Sequence, residues 1–256
     1  MIDFIKHIAR EAGRIAVYER KNLSDAGIHS KTTDKDLVTV VDRKLEEFLI
    51  SEIHRRFPGH GICGEETGVS HAESECRWII DPIDGTTSYI HDLPFFSISI
   101  AFQRDRKTVV GVVNAPRLDE IFSAEKGKGA FLNDKPIKVS RRGTLRKSLL
   151  ATGFACVRAN LAENNLKYLA RVLPSIRGIR RNGSAALDLC YVACGRFEGF
   201  WELNLNLYDI AAGVLILEEA GGVISDLDGK SDFPKNGLVA ANNLIQQELL
   251  NKLHEA

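Results

Sequence analysis

The chain has 256 residues, and its 34 Lys plus Arg balance 34 Asp plus Glu, so the formal net charge is zero at pH 7. That balance lacks the positive footprint of a phosphate-backbone binder and sets nucleic acid aside as the main ligand. With 44% apolar residues and 12 Phe the composition excludes disorder and supplies a core for one large domain or two small ones.

The predicted elements begin with two amphipathic helices. Ile2, Ile5, Ile8, Ala9, Ala12, Ile15 and Ala16 recur at helical spacing, as do Val41, Leu45, Phe48, Leu49 and Ile53 in a run that stops at Pro58. Over 61–139 the signal turns to short β-like runs: Gly61-Ile62-Cys63, Trp78-Ile79-Ile80, Ser97 to Phe102, Val109 to Val113, Ile121-Phe122 and a hairpin about Asn133-Asp134. These predict a mainly antiparallel sheet. Strands follow over 149–152, at Gly199-Phe200-Trp201, at Val223-Ile224 and over 238–241. Between and after them come helices over 161–173, 185–194 and 209–220, and a last helix from Asn243. The alternation predicts helices and strands in layers. The basic connection Ser140-Arg141-Arg142-Gly143 is the one seam, dividing an N-terminal part, 1–140, from a C-terminal part, 141–256. Its cations suit an anion, but a basic connection is more simply a solvated surface.

Cys63, Cys76, Cys156, Cys190 and Cys194 show no two-residue spacing of the kind zinc clips or redox motifs use, so no disulfide scaffold is expected. No apolar run approaches the roughly 20 residues of a membrane helix, and the charged start at Met1 lacks an export signal. A cytoplasmic protein with reduced thiols is expected.

The chemistry is concentrated in Trp78-Ile79-Ile80-Asp81-Pro82-Ile83-Asp84-Gly85-Thr86-Thr87, an apolar strand that ends in two acids, a proline, a glycine and two hydroxyls. Pro82 removes a donor and holds Asp81 extended, and Gly85 permits a sharp turn, so both acids are expected to converge. Convergent carboxylates repel, and a divalent cation with hard oxygen ligands, Mg²⁺ above all, compensates them. Thr86 to Ser88 read as the mouth of a short helix, whose N–H groups suit a phosphate oxygen. The same residues also suit a plain turn. Three other acid groups weigh against that: Glu65-Glu66 after Gly61-Ile62-Cys63, Asp209 before an apolar helix, and Asp36 to Asp42 before the second helix. Taken singly, Asp209 reads as a helix N-cap and Asp42 as a first-turn acid.

In this combination, closed by Tyr208-Asp209-Ile210-Ala211-Ala212-Gly213 and Glu219-Ala220-Gly221-Gly222, the chain resembles the inositol monophosphatase family of Mg²⁺-dependent, lithium-sensitive phosphatases. The likeness runs from Lys31 and Asp36 to Asn242. It implies an α+β fold, a layered αβαβα sandwich, and a homodimer. Two to three Mg²⁺ ions are implied, one held by Glu65, Asp81 and the Ile83 carbonyl, a second by Asp81, Asp84 and Asp209, with Glu65 touching a third. Thr86, backed by Asp42, would orient the attacking water, and the N–H groups of Gly85 and Thr86 would bind phosphate. Gly183, Ser184, Ala185, Glu202 and Asp209 would meet hydroxyls of a small phosphorylated polyol or sugar. Inositol monophosphate ranks first. Fructose 1,6-bisphosphate, a 3′-phosphorylated adenosine nucleotide and histidinol phosphate are the alternatives, and a non-catalytic regulatory protein is the other class. Ser88-Tyr89, Asn206 and Tyr208 depart from the commonest family pattern and leave the substrate open.

Rival motifs are weaker. Haloacid-dehalogenase-type phosphatases separate their strand-end aspartates by one residue, whereas Pro82 and Ile83 both intervene here. Gly229-Lys230-Ser231 lacks the earlier glycine of a phosphate loop, since Ile224 stands there, and Gly127-Lys128-Gly129 lacks a third glycine.

Overall fold

The apolar spacing of the first residues becomes helix α1 (Ile2–Arg20) in the computed structural model, with Ile5, Ile8, Ala9, Ala12 and Ala16 facing inward. The structure describes residues 1–24, 27–30 and 37–255; Lys31 and Asp36 lie outside the described residues. Two short antiparallel strands, β1 (Ile28–Ser30) and β2 (Leu37–Thr39), lead into α2 (Val40–Arg56). Thr39 caps α2 by accepting from the N–H groups of Val41 and Asp42, while Asp42 accepts from the Thr39 N–H, a reciprocal box that fixes the helix start.

Next come β3 (Gly61–Gly64), β4 (Gly68–Ser70), β5 (Cys76–Asp84), the short helix α3 (Thr86–Ile90), β6 (Ser97–Arg104), β7 (Lys107–Ala115), β8 (Glu120–Glu125), β9 (Ala130–Leu132) and β10 (Lys135–Ile137). The strands form one eight-stranded sheet in the order β10-β9-β8-β7-β6-β5-β3-β4. Neighbours run antiparallel except β3 and β5, which are parallel. The expected hairpin is β9–β10, with positive φ at both Asn133 and Asp134.

The C-terminal part contains β11 (Leu149–Thr152), α4 (Ala155–Arg158), α5 (Leu166–Val172), β12 (Gly178–Arg180), α6 (Ala185–Ala193), β13 (Gly199–Glu202), α7 (Leu207–Glu219), β14 (Gly222–Ser225), β15 (Leu238–Asn242) and α8 (Gln246–His254). Its five strands pair in the order β12-β11-β13-β15-β14. The helix expected over 161–173 is cut to α5. Asn160 takes a positive φ, and the Asn165 side chain donates to the Thr152 hydroxyl at 2.9 Å and the Gly153 carbonyl at 2.6 Å, tying the chain to β11 before the helix begins. Helix α7 starts earlier than expected: Asn206 is the N-cap, and Asp209, read from sequence as the cap, is the third helical residue of a capping box.

Alternation along β5 decides the layers, since successive side chains leave opposite faces of a strand. Trp78 and Ile80 join Leu45, Leu49, Ile53 and Ile8 under α1 and α2. Ile79 faces the other way, toward α6 and α7, whose Leu187, Leu189, Ile210 and Ile216 also meet Phe200, Leu238 and Ala240 of the second sheet. Beyond that sheet Trp201 and Val239 pack with Tyr168, Val172, Leu249 and Leu253 of α5 and α8. Helices, sheet, helices, sheet and helices thus stack in order. The Gly127-Lys128-Gly129 segment is a turn whose two glycine N–H groups donate to Glu219 at 2.7 and 2.8 Å, so it carries no dinucleotide. The Arg142 guanidinium of the basic seam pairs with the buried Glu198 at 2.8 Å. All five cysteines are free, and among the described residues no helix is long and apolar enough to cross a membrane.

One contact sets the distance between α7 and the first sheet. A Cβ at Gly111 of β7 would fall 2.8 Å from the Ala212 carbonyl oxygen and 3.0 Å from its Cα, so only glycine admits the helix this close. Gly111→Ala is therefore expected to cost about 1–3 kcal/mol by overpacking. Thermal unfolding would show this as a lower Tm, with α7, and Asp209 on it, pushed outward.

Candidate active site

Asp81 and Asp84 are three residues apart, and in a regular strand they would leave opposite faces. The ladder between β5 and β6 is irregular at this point: Asp81 pairs with Ser99 and Asp84 with Ser97, so β5 spends three steps where β6 spends two. The extra residue is a bulge, and it turns both acids to one side. Convergence thus comes from the bulge containing Pro82, where it was expected from Pro82 together with a turn at Gly85. Pro82 suits a bulge because no ladder donor is needed there. The Ile83 N–H donates to Asp81 Oδ1 at 3.1 Å and steadies the loop from inside.

Glu65 arrives by strand register. The parallel pairing of β3 with β5 sets Gly64 against Ile80, so the next residue, Glu65, stands beside Asp81, with which its side chain shares a hydrogen bond. The turn carrying Glu65 is held from below by Glu46 of α2, fully buried, which accepts from the N–H groups of Glu66 at 2.9 Å and Thr67 at 2.8 Å. A Cβ at Gly64 would lie 2.1 Å from Glu46 Oε1, so glycine there makes room for the carboxylate. Glu46 was not singled out from sequence. It follows Asp42 by one helical turn, and a second buried acid on the same face of α2 is the signal that was available.

Two helix starts complete the cluster. Asp209 projects from the first turn of α7, where it accepts from the Asn206 N–H. Asp84 lies at the start of α6, accepting from the Ser184 hydroxyl and the Ala186 N–H, both at 2.7 Å, and from the Ala185 N–H at 3.3 Å. One carboxylate oxygen each from Asp81, Asp84 and Asp209 lies within 4.8 Å of the others. Burial is the largest influence on all three and raises their pKa values. The charges of Glu65, Asp84 and Asp209 push Asp81 further up, and Asp84 does the same to Asp209, while the donors of α6 restrain Asp84 to about 6. Hard oxygen donors crowded together without a counter-charge fit a divalent cation such as Mg²⁺.

Thr86 opens α3, with Gly85 as its N-cap at φ +100°. The Thr86 hydroxyl lies 3.2 Å from the Ile83 carbonyl oxygen and 3.4 Å from Asp42 Oδ1. Burial pushes Asp42 up to about 7 against the opposing hydrogen bonds from Thr39. A cavity of about 80 Å³ is bordered by Glu65, Asp81, Ile83, Asp84, Thr86 and Asp209. Beside it lies a larger one of about 450 Å³, sharing Glu65, Asp84, Gly183 and Asp209 and extending to Glu202 and Tyr208. Glu202, at the end of β13, accepts from the Ala155 N–H at 3.1 Å, and burial pushes it up to about 7. The structure therefore brings together Glu65, Asp81, Ile83, Asp84, Gly85, Thr86, Gly183 and Asp209, with Asp42 behind Thr86 and Glu202 across the larger cavity. The Ser184 hydroxyl and the Ala185 N–H are engaged by Asp84, and Ala185 borders the larger cavity. Of the departures from the family pattern, the Ser88 hydroxyl donates to the Asn182 carbonyl at 3.0 Å and the Tyr89 hydroxyl to the Ala16 carbonyl at 2.9 Å, so both serve packing. Tyr208 and Asn206 border the larger cavity.

A sequence model of the inositol monophosphatase family matches residues 1–256. An inositol-1-monophosphatase of Mesorhizobium japonicum is 44% identical over 217 residues, covering 84% of this chain and 82% of the relative. The Nus factor SuhB of Pasteurella multocida is 40% identical over 257 residues, covering 99% of this chain and 95% of that protein. The crystal structure of the extragenic suppressor protein suhB from Bartonella henselae superimposes with a TM-score of 0.91 at 39% identity, covering 99% of this chain and 98% of that one.

An acid whose pKa is raised on folding holds its proton more tightly in the native state, so its contribution to stability is complete below about 3.9 and is lost as pH climbs through the folded value. With Asp84 at about 6 and Asp42 at about 7, the metal-free protein is expected to lose Tm between pH 4 and pH 7. Under a chelator at pH 8, Asp81→Asn removes one of the repelling charges and should unfold above the wild type by at least about 2 °C, the shift that roughly 1 kcal/mol gives at this size. Calorimetry across pH reads both effects.

Proposed function

Because the chain belongs to the inositol monophosphatase family, we propose that it is a Mg²⁺-dependent phosphomonoesterase acting on inositol monophosphate by direct attack of water on phosphorus. The observation that carries this is the meeting of Asp81, Asp84 and Asp209 oxygens within 4.8 Å, with Glu65 beside them and a cavity of about 450 Å³ adjoining. Glu65, Asp81, the Ile83 carbonyl, Asp84 and Asp209 would hold two to three ions. The chemistry such ions supply is Lewis-acid stabilisation of phosphate charge and a lowered pKa for a water.

The remaining roles fall to the protein. Asp42, close to Thr86 and able to take up a proton near neutrality, would accept from the Thr86 hydroxyl, leaving that oxygen to receive a hydrogen bond from the attacking water. The N–H groups of Gly85 and Thr86 would meet phosphate oxygens. Gly183, Ser184, Ala185, Glu202 and Asp209 would select the alcohol. Residues 1–140 and 141–256 both supply acids, so the two parts would act as one catalytic unit. Lithium inhibition and a homodimer would come with the family likeness. The other phosphate esters of the family are the alternatives in substrate. Relatives named Nus factor SuhB raise a non-catalytic role as the alternative in class.

Phosphate release from inositol 1-phosphate is expected with Mg²⁺ and none with EDTA. Asp84→Asn should lower the rate by orders of magnitude with unchanged circular dichroism, and full activity in that variant would remove the proposal. Glu46→Gln places an amide NH₂ against the N–H donor of either Glu66 or Thr67, which bond to different oxygens of the carboxylate. It should raise the Mg²⁺ concentration for half-maximal activity about 10–100-fold, as loss of a ligand-orienting partner does; a Mg²⁺ titration of the rate measures it.

A further inference from the structure

Among the described residues Asp188, Glu198 and Asp226 are buried acids that the proposed chemistry leaves without a role. Glu198 pairs with Arg142 and accepts from the Leu149 N–H at 2.7 Å, while Asp226 accepts from the N–H groups of Asp228 at 2.9 Å and Lys230 at 2.7 Å. Neither borders the cavities of the site. Asp188 does. It stands one turn into α6, is 2% exposed, and borders the larger cavity together with Asp84, Gly183, Ala185 and Glu202. Its Oδ1 accepts from the Asn182 side chain at 2.6 Å, whereas its Oδ2 accepts no hydrogen bond among the described residues. A carboxyl group so deeply buried keeps its desolvation cost until each oxygen has a partner.

The charges around Asp188 are mixed. Burial pushes its carboxyl well above the ordinary carboxylate range; the Asn182 hydrogen bond opposes the rise, Glu202 and Asp84 add to it, and the Arg181 charge opposes it again. Arg158 and Arg181 act on Glu202 through space as well, and among the described residues neither cation closes an ion pair with either acid. An anion entering here meets Asp188 and Glu202, and an ammonium group meets the two arginines. A neutral group that both donates and accepts suits such a wall, and a hydroxyl is that group. It can accept from Oδ2 when the acid holds its proton and donate to Oδ2 when it does not. With the ester phosphate at Asp81, Asp84 and Asp209, the alcohol part extends into this cavity of about 450 Å³, a volume in the range of small-ligand sites.

We propose that Asp188 is a specificity-determining residue whose Oδ2 hydrogen-bonds a hydroxyl of the alcohol, so that esters of hydroxylated rings are preferred to esters of plain ones. This rests on the phosphomonoesterase reading and adds a residue to its recognition of the alcohol. The rival role is support alone: through Oδ1 Asp188 holds Asn182, whose carbonyl accepts from Ser88 of α3, and so braces the turn at Gly183.

Inositol 1-phosphate and cyclohexyl phosphate share a six-membered ring and differ in its hydroxyls, so they serve as probes with Mg²⁺. The wild type is expected to favour the inositol ester about tenfold or more in kcat/KM, and Asp188→Ala should remove about tenfold from that ester, mainly through KM, the effect of one hydrogen bond. Cleavage of cyclohexyl phosphate should stay within about twofold of the wild type, which also reports an intact fold. Asn182→Ala frees the turn and leaves Asp188 in place, so it should not reproduce the selective loss. A crystal of the wild type with inositol 1-phosphate and Ca²⁺ should place a ring oxygen within about 3.2 Å of Oδ2. An equal fall for both esters in Asp188→Ala, no fall for either, the same selective loss in Asn182→Ala, or no ring oxygen near Oδ2 overturns the proposal while the phosphatase stands. If neither ester is cleaved, the phosphomonoesterase reading fails and the proposal with it.

Discussion

Asp81, Asp84 and Asp209 bring like charges within 4.8 Å of one another in surroundings that screen far less than water, and much of the architecture is arranged around that repulsion. Two helices of the central layer aim their N-terminal turns at the cluster. The start of α6 supplies three donors to Asp84, and the first turn of α7 ties Asp209 to Asn206. Positive helix ends offset part of the charge. Burial, with the remaining repulsion behind it, raises the carboxyl pKa values, and a small divalent cation would supply the counter-charge that the cluster lacks.

The layers convert that local chemistry into a requirement on the whole chain. Asp81 and Asp84 come from a strand of the first sheet, Glu65 from the neighbouring parallel strand, and Asp209 from a helix pressed between the sheets. The parallel β3–β5 pair in an otherwise antiparallel sheet matters because only parallel register sends both strand tips to the same edge. Close approach of β7 to α7 at Gly111 sets the remaining distance. Glu46 acts on the same geometry from the opposite side, through the turn that carries Glu65.

Most elements were legible because their apolar residues repeat with the helical or strand period: α1, α2, β6, β7, α6 and β15 all fall where the pattern puts them. The family motifs marked the acids, and those acids meet. What the linear text did not carry was geometry that depends on a partner strand. The bulge at Asp81/Asp84 is a mismatch between two ladders, and neither strand alone records it. Asn165 looked helical until Thr152 and Gly153 drew its side chain away. Asp209, read from sequence as the N-cap, stands three positions further on in the capping box, since Asn206 and Asp209 divide the work between them.

The bulge also bears on how this architecture can change over evolutionary time. The mismatch of three steps in β5 against two in β6 is all that separates two cooperating acids from two acids on opposite faces. A single codon inserted in β6 opposite the Pro82-Ile83 step would restore an ordinary ladder of three steps against three, leaving both hydrophobic layers in place while swinging one carboxylate out of the cluster. A lineage could thereby shed catalysis and keep the scaffold, an inexpensive path from phosphatase to a descendant valued only for its surface.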